Sequence, residues 1–302
     1  MHLRNTLITA IAPIAWGTTY IVTTELLPDD HPLFASLVRA LPAGLIALAL
    51  ARQLPQGNWW WKSLVLGILN IGAFFPLLFI AAYRLPGGVA ATLGAAQPLI
   101  VAVLVVAILR QSAPWRLVIW GIVGALGVAL VVLRASAQLD TLGLLAGLGG
   151  TASMALGVIL SKHWGKPPAV SALSYAGWLL TAGGLFLLPI TLLAEGFPAA
   201  LDAPAIAGYL WLGVVGGIVA YSLWFRGIRI VPITSIAVLG LLSPLTAAAL
   251  GALLLGERFS LLQLLGFALA LTAIVGAQIP THRRHPAPEV GQPVSPQRTE
   301  LV

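Results

Sequence analysis

Residues 86–109 read PGGVAATLGAAQPLIVAVLVVAIL, and residues 232–255, 146 positions later, read PITSIAVLGLLSPLTAAALGALLL. Each is an apolar run of membrane-spanning length that opens on a proline, Pro86 or Pro232. Each also carries a glycine four residues before a second proline, Gly94 with Pro98 and Gly240 with Pro244. At the same spacing Leu66 and Gly67 match Leu212 and Gly213, and Phe79 matches Phe225. Prolines and glycines distort helices, so their recurrence in register is not the chance likeness of one apolar sequence to another. The stretch reads as a duplicated pair of membrane helices.

Hydrophobic residues make up 59% of the 302 positions and charged ones 8%, against roughly 25% charged in an ordinary soluble domain. A spanning helix needs about 20 apolar residues. The chain offers such runs at 6–27, 33–52, 63–83, 87–109, 116–133, 141–161, 171–193, 205–225, 232–255 and 261–279. Backbone polar groups have no partner in lipid, so spans are helices or closed barrels, and uninterrupted apolar runs exclude alternating barrel strands. The expectation is an all-α integral membrane protein of ten transmembrane helices. Five spans per half force the second half to insert upside down, giving two inverted five-helix repeats, 1–135 and 136–280, around a central cavity. The polar, proline-bearing tail, 281–302, with His282, Arg283, Arg284 and His285, is expected to be disordered.

With the N-terminus in the cytoplasm, Arg4, Arg52, Lys62, Arg110, Arg116, Lys162, Lys166, Arg226, Arg229, Arg283, Arg284 and Arg298 fall on that side. Arg84, Arg134 and Arg258 fall outside, as do Glu25, Asp29, Asp30, Asp140, Glu195, Asp202 and Glu257. The positive-inside rule therefore predicts two cytoplasmic termini. Trp59, Trp60, Trp61 and Lys62 read as an interfacial anchor. The N-terminal run is long enough to be a retained first span rather than a cleaved leader. The net charge of +7 is spread over loops and tail, without the basic stripe that would track a nucleic acid. There is no cysteine, and His2, His31, His163, His282 and His285 have no metal-ligand spacing, so neither metal nor cofactor is expected.

Trp16-Gly17 in the first span, Arg39 early in the second, and the segment from Leu223 through Pro232 to Pro244, Gly256 and Glu257 resemble the drug/metabolite transporter superfamily, in particular proteins with two EamA-type repeats. The resemblance covers nearly all of residues 6–279. In the first half Gln111 stands where the second has Glu257, and an extra residue breaks the spacing after it. The resemblance implies a ten-helix carrier of the bacterial inner membrane, working by alternating access and often as an exporter. Within the superfamily the chain looks most like bacterial amino-acid exporters, including those for aromatic amino acids. The expected partners are a small-molecule substrate and membrane lipid, the protein itself acting as a monomer.

Trp16, Thr19, Tyr20 and Thr23 stand at i, i+3, i+4 and i+7 and share a helix face. Such a face either lines a substrate cavity or packs against neighbouring helices. Tyr221 and Trp224 share a face of the eighth span, Phe75 matches Tyr221 in the first repeat, and Asn70 and Phe74 lie a turn apart on the third. Each has the same two readings. Arg39 either grips a substrate carboxylate with two parallel bonds or snorkels outward. Gln97 and Ser243, each just before a proline, either satisfy freed backbone groups or bond substrate. Gly94, Pro98, Gly240 and Pro244 predict a bend in the fourth and ninth helices, a hinge or a static kink.

No Asp or Glu falls near the middle of a span, so the usual proton relay is missing and facilitated export or exchange is the simpler reading. The expected substrates are neutral and aromatic amino acids. A multidrug or organic-cation exporter is the alternative, disfavoured by the missing carboxylate. An integral-membrane lipid enzyme would need a nucleophile, base or metal cluster that the chain does not show. A channel is disfavoured by the inverted halves.

Overall fold

The protein is described by a computed structural model covering residues 2–85, 93–112, 115–132, 140–255 and 260–278. Pro86, Arg134, Gly256, Glu257, Arg258 and the tail after Gln278, all used above, lie outside the described residues. The described chain is helical, with α1 His2–Leu26, α2 Pro32–Ala51, α3 Trp59–Gly67, α4 Phe74–Arg84, α5 Gln97–Leu109 and α6 Trp115–Val132 in the first half. The second holds α7 Thr141–Trp164, α8 Ala172–Ala194, α9 Ala203–Gly213, α10 Ala220–Ile230, α11 Ile233–Leu239, α12 Leu242–Leu255 and α13 Leu261–Gln278.

Among the described residues, seven helical stretches are long and apolar enough to cross a membrane: Leu3–Leu26, Pro32–Ala51, Trp59–Arg84, Thr141–Trp164, Ala172–Ala194, Ala203–Ile230 and Ser235–Leu254. Gln97–Leu109, Trp115–Leu130 and Leu261–Ala277 are shorter apolar helices. The starts are written locally. Asp140, Ser171 and Asp202 each accept a bond from the backbone N–H three residues on, at 2.7–2.9 Å, capping α7, α8 and α9.

Two features interrupt the rods, each in matching places. Ile68–Gly72 between α3 and α4, and Val214–Val219 between α9 and α10, are π-helical turns that begin 146 residues apart. In the fourth and ninth segments the helix breaks at Ala95–Ala96 and at Gly240–Leu241. There the backbone tightens to bonds from Ala96 N to Leu93 O (3.2 Å), Leu241 N to Val238 O (3.1 Å) and Ser243 N to Gly240 O (3.1 Å). Pro244 has no N–H to give the Gly240 carbonyl, and Ser243 supplies one instead.

The principal neighbours are α2 with α8, α6 with α13, α4 with α7, α1 with α10, α5 with α7 and α1 with α12. Exchanging the halves of the chain maps this set onto itself. The α2–α8 pair is antiparallel and close, because a side chain at Gly44 would run into the Thr181 backbone and one at Gly184 into Leu41. The residue after each helix holds the start of the other. Glu195 accepts from Leu33 N (2.8 Å) and Phe34 N (2.7 Å) at the head of α2. At the opposite end Gln53 accepts from Ser174 Oγ (2.9 Å) through its amide oxygen and from Trp178 Nε1 (2.6 Å) through its carbonyl.

These reciprocal ties predict an unequal pair of losses. Glu195→Ala removes both charge-assisted bonds at the head of α2 and should destabilise the protein by about 1 kcal/mol, whereas Gln53→Ala loses the Ser174 bond but keeps the Trp178 bond to its backbone carbonyl and should cost less. Melting temperatures in detergent micelles check this, and the two effects should add, since the sites lie at opposite ends of the pair.

Candidate functional site

Between the halves lies a cavity walled by α1, α2, α4, α7, α10 and the two broken helices. Its volume is about 90 Å³, below the roughly 150 Å³ that houses a benzene ring in a closed protein core. An aromatic guest must therefore also use the mouth. Of the residues singled out in the sequence, Trp16, Thr19, Tyr20, Arg39, Phe74, Gln97, Trp224 and Ser243 line it, together with Gly94, Gly240 and Pro244. Thr23, Asn70, Phe75, Tyr221 and Pro98 are buried behind that wall.

Arg39 is 1% exposed. One guanidinium nitrogen, Nη1, donates to Thr19 Oγ1 at 3.2 Å, and its carbon lies 4.5 Å from the Phe75 ring centroid, a cation–π contact. On the far side it rests against Gly216, where a side chain would meet Nη2. No acidic side chain among the described residues pairs with it, and Nε has no partner. The indole N–H of Trp224 is likewise buried without an acceptor. The cavity lining thus carries one positively charged residue and, among the described residues, no acid.

The π-turns explain how the aromatic residues are held. Trp16 Nε1 donates to Gly216 O at 2.9 Å and Tyr221 OH to Asn70 O at 3.2 Å. Residues 70 and 216 correspond across the 146-residue repeat, so the same carbonyl of each π-turn is capped by a ring from elsewhere. The Asn70 amide turns back to Leu66 O at 2.9 Å and fits only because Gly157 opposite has no side chain. Thr23 bonds the Thr19 carbonyl of its own helix at 2.7 Å.

From the cavity floor a column of rings runs to the end of the bundle that carries the N-terminus. Trp16 lies 4.9 Å from Tyr221 and 5.1 Å from Trp224, Tyr221 5.5 Å from Phe225, Phe225 5.2 Å from Tyr175, and Tyr175 5.9 Å from Trp59. Trp59 therefore belongs to this plug, while Trp60 and Trp61 of the expected anchor are exposed. Lys162 Nζ closes the same end by donating to Ile228 O at 2.6 Å and Val231 O at 3.2 Å. Toward the other end the wall is Leu78, Ala81, Gly147, Gly150 and Thr151, with far less bulk. Sequence reasoning missed the α7 wall of Gly147, Gly150, Thr151 and Met154. Its i, i+3, i+4, i+7 spacing is that of Trp16, Thr19, Tyr20 and Thr23 and was the available signal.

The arrangement defines a multi-pass helical membrane protein with a polar, aromatic-walled cavity at its centre. The EamA-like transporter family matches residues 5–133 and 141–277. The chain belongs to that family, whose members are transporters and not enzymes. It is 44% identical over 267 residues to Protein PecM of Dickeya dadantii (strain 3937), covering 88% of this chain and 90% of PecM. It is 28% identical to the uncharacterized transporter YwfM of Bacillus subtilis (strain 168), over 88% and 90% of the two chains. With the uncharacterized inner membrane transporter YedA of Escherichia coli (strain K12) it shares 25% identity over 87% and 86%. A crystal structure at 19% identity superposes with a TM-score of 0.75 over 92% of this chain and 97% of its own, a likeness of fold.

The ring column predicts one-sided access. In the cysteine-free chain, Leu78→Cys should react with a small polar thiol reagent, whereas Ile228→Cys, behind the column, should not. Equal labelling of both positions in purified protein would contradict the closed end.

Proposed function

We propose that this protein is a secondary carrier that exports or exchanges small neutral amino acids, with apolar and aromatic side chains accepted. The observation that carries the reading is Arg39, buried at the cavity wall without an acid partner and flanked by Trp16, Tyr20 and Phe74. A guanidinium presents a fork of donors matched to a carboxylate. The rings cover an apolar group without specifying its shape. An organic-cation exporter fits poorly, since the charged side chain on the cavity wall is positive. No carboxylate lines the cavity to relay protons, which favours facilitated export or exchange.

The same reading makes the chain a ten-crossing protein of two inverted halves, 1–135 and 136–280, with both termini cytoplasmic. Matched π-turns, matched breaks and the self-mapping helix pairs support the duplication. The inner-membrane name of YedA supports that membrane as the location. The protein acts as a monomer surrounded by lipid, to which Leu261, Leu265, Leu193 and Leu253 turn their exposed faces. Labelling of Leu78→Cys from outside intact cells, and not from inside, is the orientation expected.

Counterflow in proteoliposomes tests the substrate class, with labelled amino acids beside sugars, nucleobases and organic cations. Several neutral amino acids should compete, and their amides should not. Arg39→Lys keeps the charge but loses the fork, so exchange should fall at least about tenfold with insertion and melting temperature unchanged. Exchange restricted to the other compound classes overturns the substrate, and undiminished exchange by the Lys variant leaves Arg39 a structural part.

Alternating access would come from bending at the two breaks, where Gly94 precedes Pro98 and Gly240 precedes Pro244. Pro98→Ala and Pro244→Ala should each bind substrate but exchange it several-fold more slowly. Their biases should be opposite when read by the reactivity of Leu78→Cys. Unaltered rate and reactivity in both variants would make the kinks static.

A further inference from the structure

Four glycines line the cavity: Gly94, Gly147, Gly150 and Gly240. At three of them a neighbour fills or crowds the place where a side chain would stand. Gly147 receives the Leu93 side chain, Gly150 lies 3.2 Å from Leu77 Cβ and Gly240 lies 3.1 Å from Gln97 Oε1, measured from the position of the missing Cβ. Gly94 differs, because a Cβ there meets nothing within 4 Å among the described residues. Nor does its backbone require glycine, since it is helical with no positive φ. A glycine inside a helix costs about 1 kcal/mol relative to alanine, so neither packing nor conformation accounts for this one.

The residue before it is anchored. Leu93 is pinned to α7, with its side chain in the Gly147 gap and its carbonyl accepting from Thr151 Oγ1 at 3.3 Å. Gly94 thus follows a residue fastened to α7 and lies exposed in the cavity lining. In a space of about 90 Å³, one added carbon is a sizeable fraction of the room available to a guest.

We propose that Gly94 determines the size of substrate the cavity accepts, its missing side chain leaving the room that a bulky planar side chain of the substrate fills. This rests on the amino-acid reading above and adds the residue that sets the upper limit. Small substrates do not reach this space and are indifferent to it. The selectivity available is that of an apolar pocket, roughly ten- to two-hundredfold per methylene excluded or admitted.

The test measures counterflow of labelled alanine and labelled tryptophan by the full chain and by Gly94→Ala and Gly94→Leu. The ratio of tryptophan to alanine exchange should fall about tenfold in Gly94→Ala and further in Gly94→Leu, whatever the change in overall rate. Tryptophan's competition against alanine uptake should weaken in the same order, a readout that needs no tryptophan transport. If both substrates slow in parallel, Gly94 acts as a hinge or a packing element and the proposal is overturned. An unchanged tryptophan-to-alanine ratio overturns it as well. Should Gly94→Leu fail to insert, the Gly94→Ala ratio alone decides. If the parent exchanges neither compound, the amino-acid reading fails before Gly94 is tested.

Discussion

A backbone carbonyl that loses its helical N–H inside a membrane has no water to replace it, so another protein group must donate. The two π-turns shift the backbone ladder at the centre of this protein. At the first, Ala73 N reaches back to Ile68 O at 2.7 Å, and side chains donate to carbonyls in and beside the turn. Leu66 O is met by Asn70, Leu69 O by Ser153 at 2.7 Å and Asn70 O by Tyr221. At the second, Gly216 O is met by Trp16. A buried polar group left unpaired costs about 1–3 kcal/mol, and these side-chain donors help hold the turns in place. Because the donors sit on α1, α7 and α10, satisfying the backbone also ties three helices to one level of the bundle.

That level is where Arg39 lies, and the turns determine its surroundings. Gly216 offers the guanidinium a flat surface, Phe75 covers the other side with its ring, and Thr19 takes one hydrogen bond. The remaining donors are directed by this packing and cannot all turn to backbone. The charged side chain in the cavity lining is positive and no acid among the described residues pairs with it, which suits a carboxylate better than an ammonium.

The helices and their duplication were legible because they rest on composition and on glycine and proline, which act locally. The breaks near Gly94 and Gly240 follow from the same local chemistry, and so does the shared face of Trp16, Thr19 and Tyr20. The π-turns left no such trace. They are braced by donors 84 to 200 residues away in sequence, and residues such as Ile68, Leu69 and Val214 read as ordinary helix. Spacing also fixes a face without saying which part of it meets a void. Tyr221 and Trp224 share a face, yet Tyr221 lies behind Trp16 while Trp224 reaches the cavity. Thr23, on the face of Trp16, is spent on its own helix. The α7 wall went unread because small residues give no aromatic signal, and their contribution is the space they leave.

The duplicated backbone places equivalent groups at both ends of the cavity, but the side chains at matched positions differ. Leu78 stands where the second half has Trp224, Phe75 where it has Tyr221, and Gln97 where it has Ser243. Two identical halves would give a carrier whose two closed ends had equal energy. Here the end beyond Trp224 is filled by stacked rings, each pair contributing about 0.5–1.5 kcal/mol beyond its buried area, while the end beyond Leu78 is walled by alanine and glycine. On the proposed alternating-access reading, the conformation closed at the ring-filled end is thereby favoured. A working carrier must still reach the opposite one, which keeps the gap to a few kcal/mol. Sidedness in this protein therefore resides in a few substitutions on a symmetric frame, with Trp224 against Leu78 the largest in volume.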